Sequence, residues 1–326
     1  MKLQKVSPAC LFTVLLLTFA AAPAIAKYRK PQTPTVSQTC TSRTKLHCEI
    51  YGSGDPILCI HGLGGSLYSW RKFIGQFPNN QLVLIDLLGA GQSPKPHDDN
   101  YSILTQRDLL YDFIEEHDFN NLTIVGNSYG GAVSLLLAIK LTDAHSTRFK
   151  NLVLIDSAGY REGLPTYFWI LHSWLGLPIL DLLGSKRAVT NVLRQSYAEK
   201  CRITKPQIEA YAAPLNDKNG KFALSQMAKQ ALPDNMPGIT DRYKDILVPT
   251  LILWGDSDRV IPLRIGTRLR DTIPHTSLQI ISSAGHIPQE EEPAATICEI
   301  RKFLEPGYSC TPPVPSDCPV KKPKGR

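Results

Sequence analysis

Residues 122–141 read Leu122-Thr123-Ile124-Val125-Gly126-Asn127-Ser128-Tyr129-Gly130-Gly131, followed by an apolar run from Ala132 to Leu141. A β-rich apolar stretch ends in Gly-x-Ser-x-Gly, and a helix-forming stretch opens at once. A strand that turns into a helix within so few residues forces a strained backbone and close chain approach, which is why glycines flank the serine. The turn thrusts the Ser128 hydroxyl out at the end of the strand, next to a helix N-terminus that favours negative charge. Ser128 is therefore the candidate nucleophile, and the helix over 131–141, apolar nearly all round, is expected to be central.

Counting this one (121–125), β-rich runs lie at 56–60, 81–86, 121–125, 151–155, 250–254 and 277–281. Most are continuously apolar, as strands covered on both faces are. Helical patterns alternate with them, including 105–117 with Leu109, Leu110, Phe113 and Ile114 on one face. The alternation predicts an α/β fold with a mostly parallel sheet flanked by helices. It stops over 159–248, a stretch too long for a bare connection. That stretch carries Tyr167-Phe168-Trp169-Ile170, Trp174 and helical patterns near 185–199 and 222–231, and predicts an inserted helical cap. The core then comprises 27–158 and 249–305. The remaining 306–326 form a Pro-rich, basic tail.

Loops after the carboxyl ends of parallel strands are where such sheets place their sites. His286, in Ser283-Ala284-Gly285-His286 after the last strand-like run, is the candidate base. Trp254-Gly255-Asp256-Ser257-Asp258 follows the preceding strand and offers the orienting acid. Asp258 is favoured, Asp256 has the alternative of shaping the turn, and Asp156 is a third candidate. In His61-Gly62-Leu63-Gly64-Gly65 the Gly-rich turn suits an oxyanion hole, with the Leu63 and Tyr129 backbone N–H groups as donors. His61 itself is expected to order this loop. His47, His97, His117, His145, His172 and His275 carry no motif and read as solvated or hydrogen-bonded surface residues. Glu290-Glu291-Glu292 before Pro293 reads as the acidic N-terminal cap of the last helix. Phe168, Trp169 and Trp174 are candidate substrate-pocket residues.

These motifs, with Asp86-Leu87-Leu88-Gly89-Ala90-Gly91-Gln92-Ser93, give the chain a resemblance over about 45–304 to the capped α/β-hydrolases, a group of esterases, lipases, epoxide hydrolases, haloperoxidase-like and carbon–carbon bond hydrolases. The resemblance implies a Ser128–His286–Asp258 triad and an acyl-enzyme. The epoxide hydrolases and haloalkane dehalogenases of the group use an aspartate nucleophile, which Ser128 is not. The carbon–carbon hydrolases are similar in having an asparagine before the serine, here Asn127, but usually carry a tryptophan after the histidine where this chain has Ile287. The expectation is a serine hydrolase acting on a carboxylic ester of a small to medium apolar substrate, without metal or organic cofactor. Carbon–carbon hydrolysis, acyl transfer and non-catalytic ligand binding are the alternatives.

Composition sets the outer bounds. With 43% hydrophobic and 20% charged residues, the 326-residue chain is globular, neither disordered nor coiled coil. The net charge of +7 is dispersed and no basic stripe interleaves with aromatics, so a nucleic-acid partner is not expected. Residues 1–26 read as a secretory signal: Lys2 and Lys5, an apolar run over 9–22, then Ala24-Ile25-Ala26 before Lys27. Its loss removes two positive charges and no acid, leaving +5 of the +7, and implies an exported chain with no membrane span. Oxidation then becomes permissible. Cys40 can face Cys48 across a hairpin near Arg43-Thr44-Lys45, Cys310 and Cys318 can close a loop in the tail, and Cys59 reads as a buried thiol.

Overall fold

Eight strands form one sheet in the computed structural model, which describes residues 38–310 except positions 41 and 99. They are β1 (Gln38–Thr39), β2 (Cys48–Tyr51), β3 (Asp55–Ile60), β4 (Asn80–Ile85), β5 (Leu122–Asn127), β6 (Phe149–Ile155), β7 (Thr250–Gly255) and β8 (Thr276–Ile281). Their spatial order is β1-β2-β4-β3-β5-β6-β7-β8. The strands from β3 onward run parallel, while β1 and β2 add an antiparallel edge. β5, with every residue buried, lies near the middle, which is what its unbroken apolar run requires.

Helices cover both faces. On one side lie α1 (Ile103–Glu116) and α2 (Tyr129–Asp143). The Ser102 hydroxyl caps α1 by accepting the Thr105 N–H at 3.0 Å. α2 buries residues around its whole circumference, as the apolar run predicted, and each fully buried Leu or Ile there stabilises by about 1.5–3 kcal/mol. Between β6 and β7 the chain forms α3 (Thr166–His172), α4 (Gly176–Leu183), α5 (Ser185–Ser196), α6 (Lys205–Ala212), α7 (Lys218–Lys229) and α8 (Met236–Thr240). These helices fill the interval read as an insertion. They have a small core of their own, with Leu180, Val189, Leu193, Tyr197 and Leu215, into which Ile287 of the histidine loop also packs. The chain returns to the sheet and adds α9 (Leu263–Thr272), the short α10 (Pro288–Glu291) and α11 (Pro293–Leu304). Ile297 and Ile300 of α11 join Trp70 and Phe73 against the second face of the sheet.

The Cys40–Cys48 pair is bonded across the predicted turn, with Cα atoms 5.3 Å apart, and Cys59 is a free, buried thiol. The tail pairing differs from expectation. Cys310 is bonded to Cys298, not Cys318, because the chain reverses after α11 at Gly307 (φ 90°) and returns alongside that helix. The proposed signal, Cys318 and the basic end of the tail lie outside the described residues. Among the described residues, no helix is long and apolar enough to cross a membrane.

Candidate active site

The turn between β5 and α2 has the strained geometry its glycines foretell. Ser128 sits at φ 56°, ψ −120°, a conformation that costs a non-glycine residue of order 1–3 kcal/mol. A Cβ on Gly130 would lie 2.2 Å from the Ile60 carbonyl oxygen, and one on Gly126 would lie 2.3 Å from Ser134 Oγ. Neither position has room for a side chain. The Ser128 N–H is held by the Ile155 carbonyl at 3.0 Å, which fixes the turn against β6.

His286 lies on the loop after β8. Its Nε2 is 2.8 Å from Ser128 Oγ and its Nδ1 is 2.9 Å from Asp258 Oδ2. The other carboxylate oxygen of Asp258 accepts the backbone N–H groups of Val260 (2.6 Å) and Ile261 (3.1 Å), so it can rotate little. Asp256 does not reach the histidine; it accepts the Ser283 N–H at 3.1 Å and shapes the turn. The loop backbone is also fastened: Asn127 Nδ2 donates to the carbonyls of Ile155 and His286 at 3.0 and 3.1 Å. Asp156, at the end of β6, is fully buried within 4.8 Å of the Asp258 and His286 ligand atoms. Burial first, then repulsion from Asp258, holds its carboxyl well above the usual carboxylate range, against the opposing effect of the Gly255 N–H that it accepts at 2.9 Å.

The turn after β3 completes the site. His61 Nδ1 donates to the Gly62 carbonyl at 2.8 Å and its Nε2 accepts the Leu87 N–H at 3.1 Å. Burial lowers the His61 pKa, which keeps the neutral ring that this donor–acceptor pairing needs. His61 thus orders the loop as expected. Gly62 lies against Ser128, where a Cβ would approach the Ser128 Cβ to 3.2 Å. Leu63 and Tyr129 both line the space around Ser128, and neither N–H donates to a loop or turn carbonyl among the described residues. His47, read as a solvated or hydrogen-bonded surface residue, is of the second kind but largely covered: its Nδ1 is bonded to Asp86 at 2.9 Å, which raises its pKa.

Ser128 and His286 open into a cavity of about 300 Å³ between the sheet and the helices that connect β6 to β7. Its walls are Leu, Ile, Val, Ala and aromatic side chains with a few amides and hydroxyls; among the described residues no Lys, Arg, Asp or Glu lines it. Phe168 is part of the wall. Trp169 and Trp174, expected beside it, are not. α3 turns Phe168 and Leu171 inward, which leaves Trp169 facing out under the Arg161 guanidinium (5.6 Å), while Trp174 sits in the α3–α4 turn and is 80% exposed.

The acidic triplet is also placed differently from expectation. No side-chain cap bond is made at α11. Glu290 is buried, bonded to Arg71, Tyr211 and Gln207. Glu291 accepts the N–H groups of Gly285 (2.7 Å), Ala198 (3.0 Å) and Glu199 (2.6 Å). Glu292 pairs with Arg202. Backbone N–H groups after α5 and in the histidine loop, costly to leave unpaired when buried, draw Glu291 away from the helix dipole, while Glu292 occupies the N-cap position of α11 with its side chain turned to Arg202. Sequence reasoning missed this role; three successive acids directly after a histidine loop were the available signal.

Comparison with known proteins agrees with the fold. Residues 55–293 match the family described as alpha/beta hydrolase fold. Lipase 1 of Psychrobacter immobilis is 28% identical over 268 residues, covering 78% of this chain and 78% of its own. A 2-hydroxymuconate semialdehyde hydrolase of Pseudomonas putida is 29% identical over 274 residues, covering 80% and 90%. Among solved structures, the 2-hydroxy-6-oxo-6-phenylhexa-2,4-dienoate hydrolase of a Rhodococcus strain superimposes with a TM-score of 0.66 at 20% identity, over 79% of this chain and 94% of its own. The chain belongs to the α/β-hydrolase fold family.

Proposed function

We propose that the chain is a serine hydrolase that cleaves a neutral carboxylic ester with an apolar acyl group. The observation that carries this reading is the Ser128–His286 contact opening into a cavity that has no lysine or arginine among its described lining residues. Ser128 Oγ attacks the acyl carbon as His286 Nε2 takes its proton. The Leu63 and Tyr129 N–H groups hold the oxyanion, and the proton passes to the departing alkoxide. Water, activated by the same imidazole, then attacks the acyl-enzyme and releases the acid. Asp258 selects the imidazole tautomer and stabilises the imidazolium. No step calls on a metal or organic cofactor.

The relatives named above include a lipase and a 2-hydroxymuconate semialdehyde hydrolase, and the solved structure is a dienoate hydrolase. A dienoate is an anion, and an anion buried in an apolar cavity needs a cationic or hydrogen-bonded partner. The described lining offers a few amides and hydroxyls but no Lys or Arg, so an anion would have to be held without a cation, which favours the neutral ester. Export fits the Cys40–Cys48 and Cys298–Cys310 disulfides.

A series of p-nitrophenyl esters from acetate to decanoate tests the reading against a dienoate. On this reading kcat/KM rises roughly fourfold per added methylene until the cavity is full, and the dienoate is not turned over. Turnover of the dienoate with no turnover of any ester would contradict it.

A further inference from the structure

The inserted helices carry an apolar surface that the chemistry above does not use. Trp169, Ile170, Trp174, Leu175, Leu182 and Leu183 of the α3–α4 segment are all exposed, Trp174 at 80% and Leu182 at 87%. Soluble proteins scatter such residues singly; a contiguous group marks a surface that meets something apolar. These six are close in sequence and fall on one helix pair, α3 and α4, joined by a short turn.

What the surface meets is indicated by its continuity with the cavity. Ile170 and Leu183 are exposed to solvent and at the same time line the cavity above Ser128. They lie at the rim, where the outer face meets the inner wall; the other exposed residues of the lining, Asn191 and Gln195, are uncharged amides on α5. The inner residues of the same helices, Leu171, Ile179 and Leu180, continue that wall. Two cations border the face, Arg161 over the Trp169 ring and exposed Arg187 in the first turn of α5; Lys186 beside them is paired with Glu209, and Glu162 with Arg268. The one nearby acid on α4, Asp181, is paired with Lys221. Exposed tryptophans with leucines, bordered by Lys and Arg, are the composition of segments that lie in a membrane interface. A folded protein partner would not need the rim to open into the cavity, whereas a surface that delivers an apolar ester does.

We infer that the outer face of α3 and α4 docks on a lipid surface, and that the ester passes from that surface between Ile170 and Leu183 into the cavity. The docking stands on the exposed face; the passage of substrate rests on the ester reading above.

The chain has four tryptophans. Trp70 and Trp254 are fully buried, so lipid-borne quenching reports Trp169 and Trp174, and the apolar run over 9–22 contains none. The test mixes the full chain with vesicles of phosphatidylcholine and phosphatidylglycerol in which part of the phosphatidylcholine is acyl-brominated, and compares wild type with Trp174→Phe and Leu182→Asp. Quenching of the wild type, a smaller quenched fraction in Trp174→Phe, and partition about tenfold or more weaker in Leu182→Asp are expected. Leu182→Asp should also lose most turnover of tributyrin above its solubility limit while hydrolysing p-nitrophenyl acetate within twofold of wild type. No quenching of the wild type overturns the docking, as does quenching that Leu182→Asp leaves unchanged. A dimer in vesicle-free solution that Leu182→Asp dissociates would assign the face to a second copy and also overturn it. Quenching as expected with no turnover of either ester would leave docking standing and sink the ester reading alone.

Discussion

The His286 N–H donates to the Ser196 carbonyl oxygen at 2.6 Å, so the ring that reaches Ser128 is anchored at the end of α5 as well as to the sheet. Gly285 makes that approach possible. A Cβ there would lie 2.1 Å from the same oxygen and 2.9 Å from the Ala198 nitrogen, both backbone atoms. Gly285→Ala is expected to destabilise the chain by about 1–3 kcal/mol through overpacking. Displacing the imidazole by about 1 Å should lower ester kcat/KM by about 10²-fold. Denaturant melting and steady-state kinetics on the purified variant would show wild-type values if the contact were unimportant.

Asp258 and Asp256 stand two residues apart and make different contacts. Asp258→Asn should reduce kcat by up to about 10⁴-fold, the loss seen when the orienting carboxylate of a serine-protease triad is replaced. Asp256→Asn, whose amide oxygen can still accept the Ser283 N–H, should remain within a few fold of wild type. Equal losses in the two variants would overturn the assignment of the acid.

The buried Asp156 carries a pH signature. Its pKa lies well above the ordinary 3.8 in the folded chain because burial and the neighbouring Asp258 disfavour its anion. The folded chain therefore holds a proton that the unfolded chain releases, and stability falls as pH rises from about 4. Asp156→Asn keeps a neutral group of the same shape at every pH, and its amide oxygen can still accept the Gly255 N–H. Its Tm should match wild type near pH 4 and rise above it progressively toward pH 8. A Tm difference that stays constant across this range would mean that Asp156 ionises normally in the folded chain.

The cavity wall predicts which aromatic governs acyl preference. Phe168→Ala enlarges the site and should shift the optimum among monomeric esters to longer chains, with discrimination of about 1–3 kcal/mol per methylene at stake. Trp174→Ala, outside the cavity, should leave the monomeric profile unchanged. A shift with Trp174→Ala and none with Phe168→Ala would reverse the roles of the two rings.

The fold was legible wherever one sequence period dominated. β3, β5, β6 and β7 are continuous apolar runs, and Gly126, Ser128 and Gly130 fix the turn that sets the remaining topology. β2 was less visible because Cys48–Tyr51 is four residues long and includes Glu49. α9 was obscured by its arginines: only Ile265, Gly266 and Leu269 are buried in it. Within the site, Ser128, Asp258 and His286 announced themselves through loop position, since a parallel sheet gathers its strand-end loops. The acids after His286 did not, because their partners lie far away in sequence, Glu291 with Ala198 and Glu199 and Glu290 with Arg71. Nor can aromatic content say which way a ring points on α3; that depends on how the helix settles over the cavity.

The central claim, that Ser128 is the nucleophile of an ester hydrolase, is tested most directly by covalent capture. The wild-type chain should react with a fluorophosphonate at neutral pH, and peptide mass spectrometry should place the adduct on Ser128. Ser128→Ala should remain folded and unlabelled, and His286→Ala should label far more slowly, since the hydroxyl needs its base. A folded wild-type chain that resists the probe, or an adduct on any other residue with Ser128 untouched, would contradict the account.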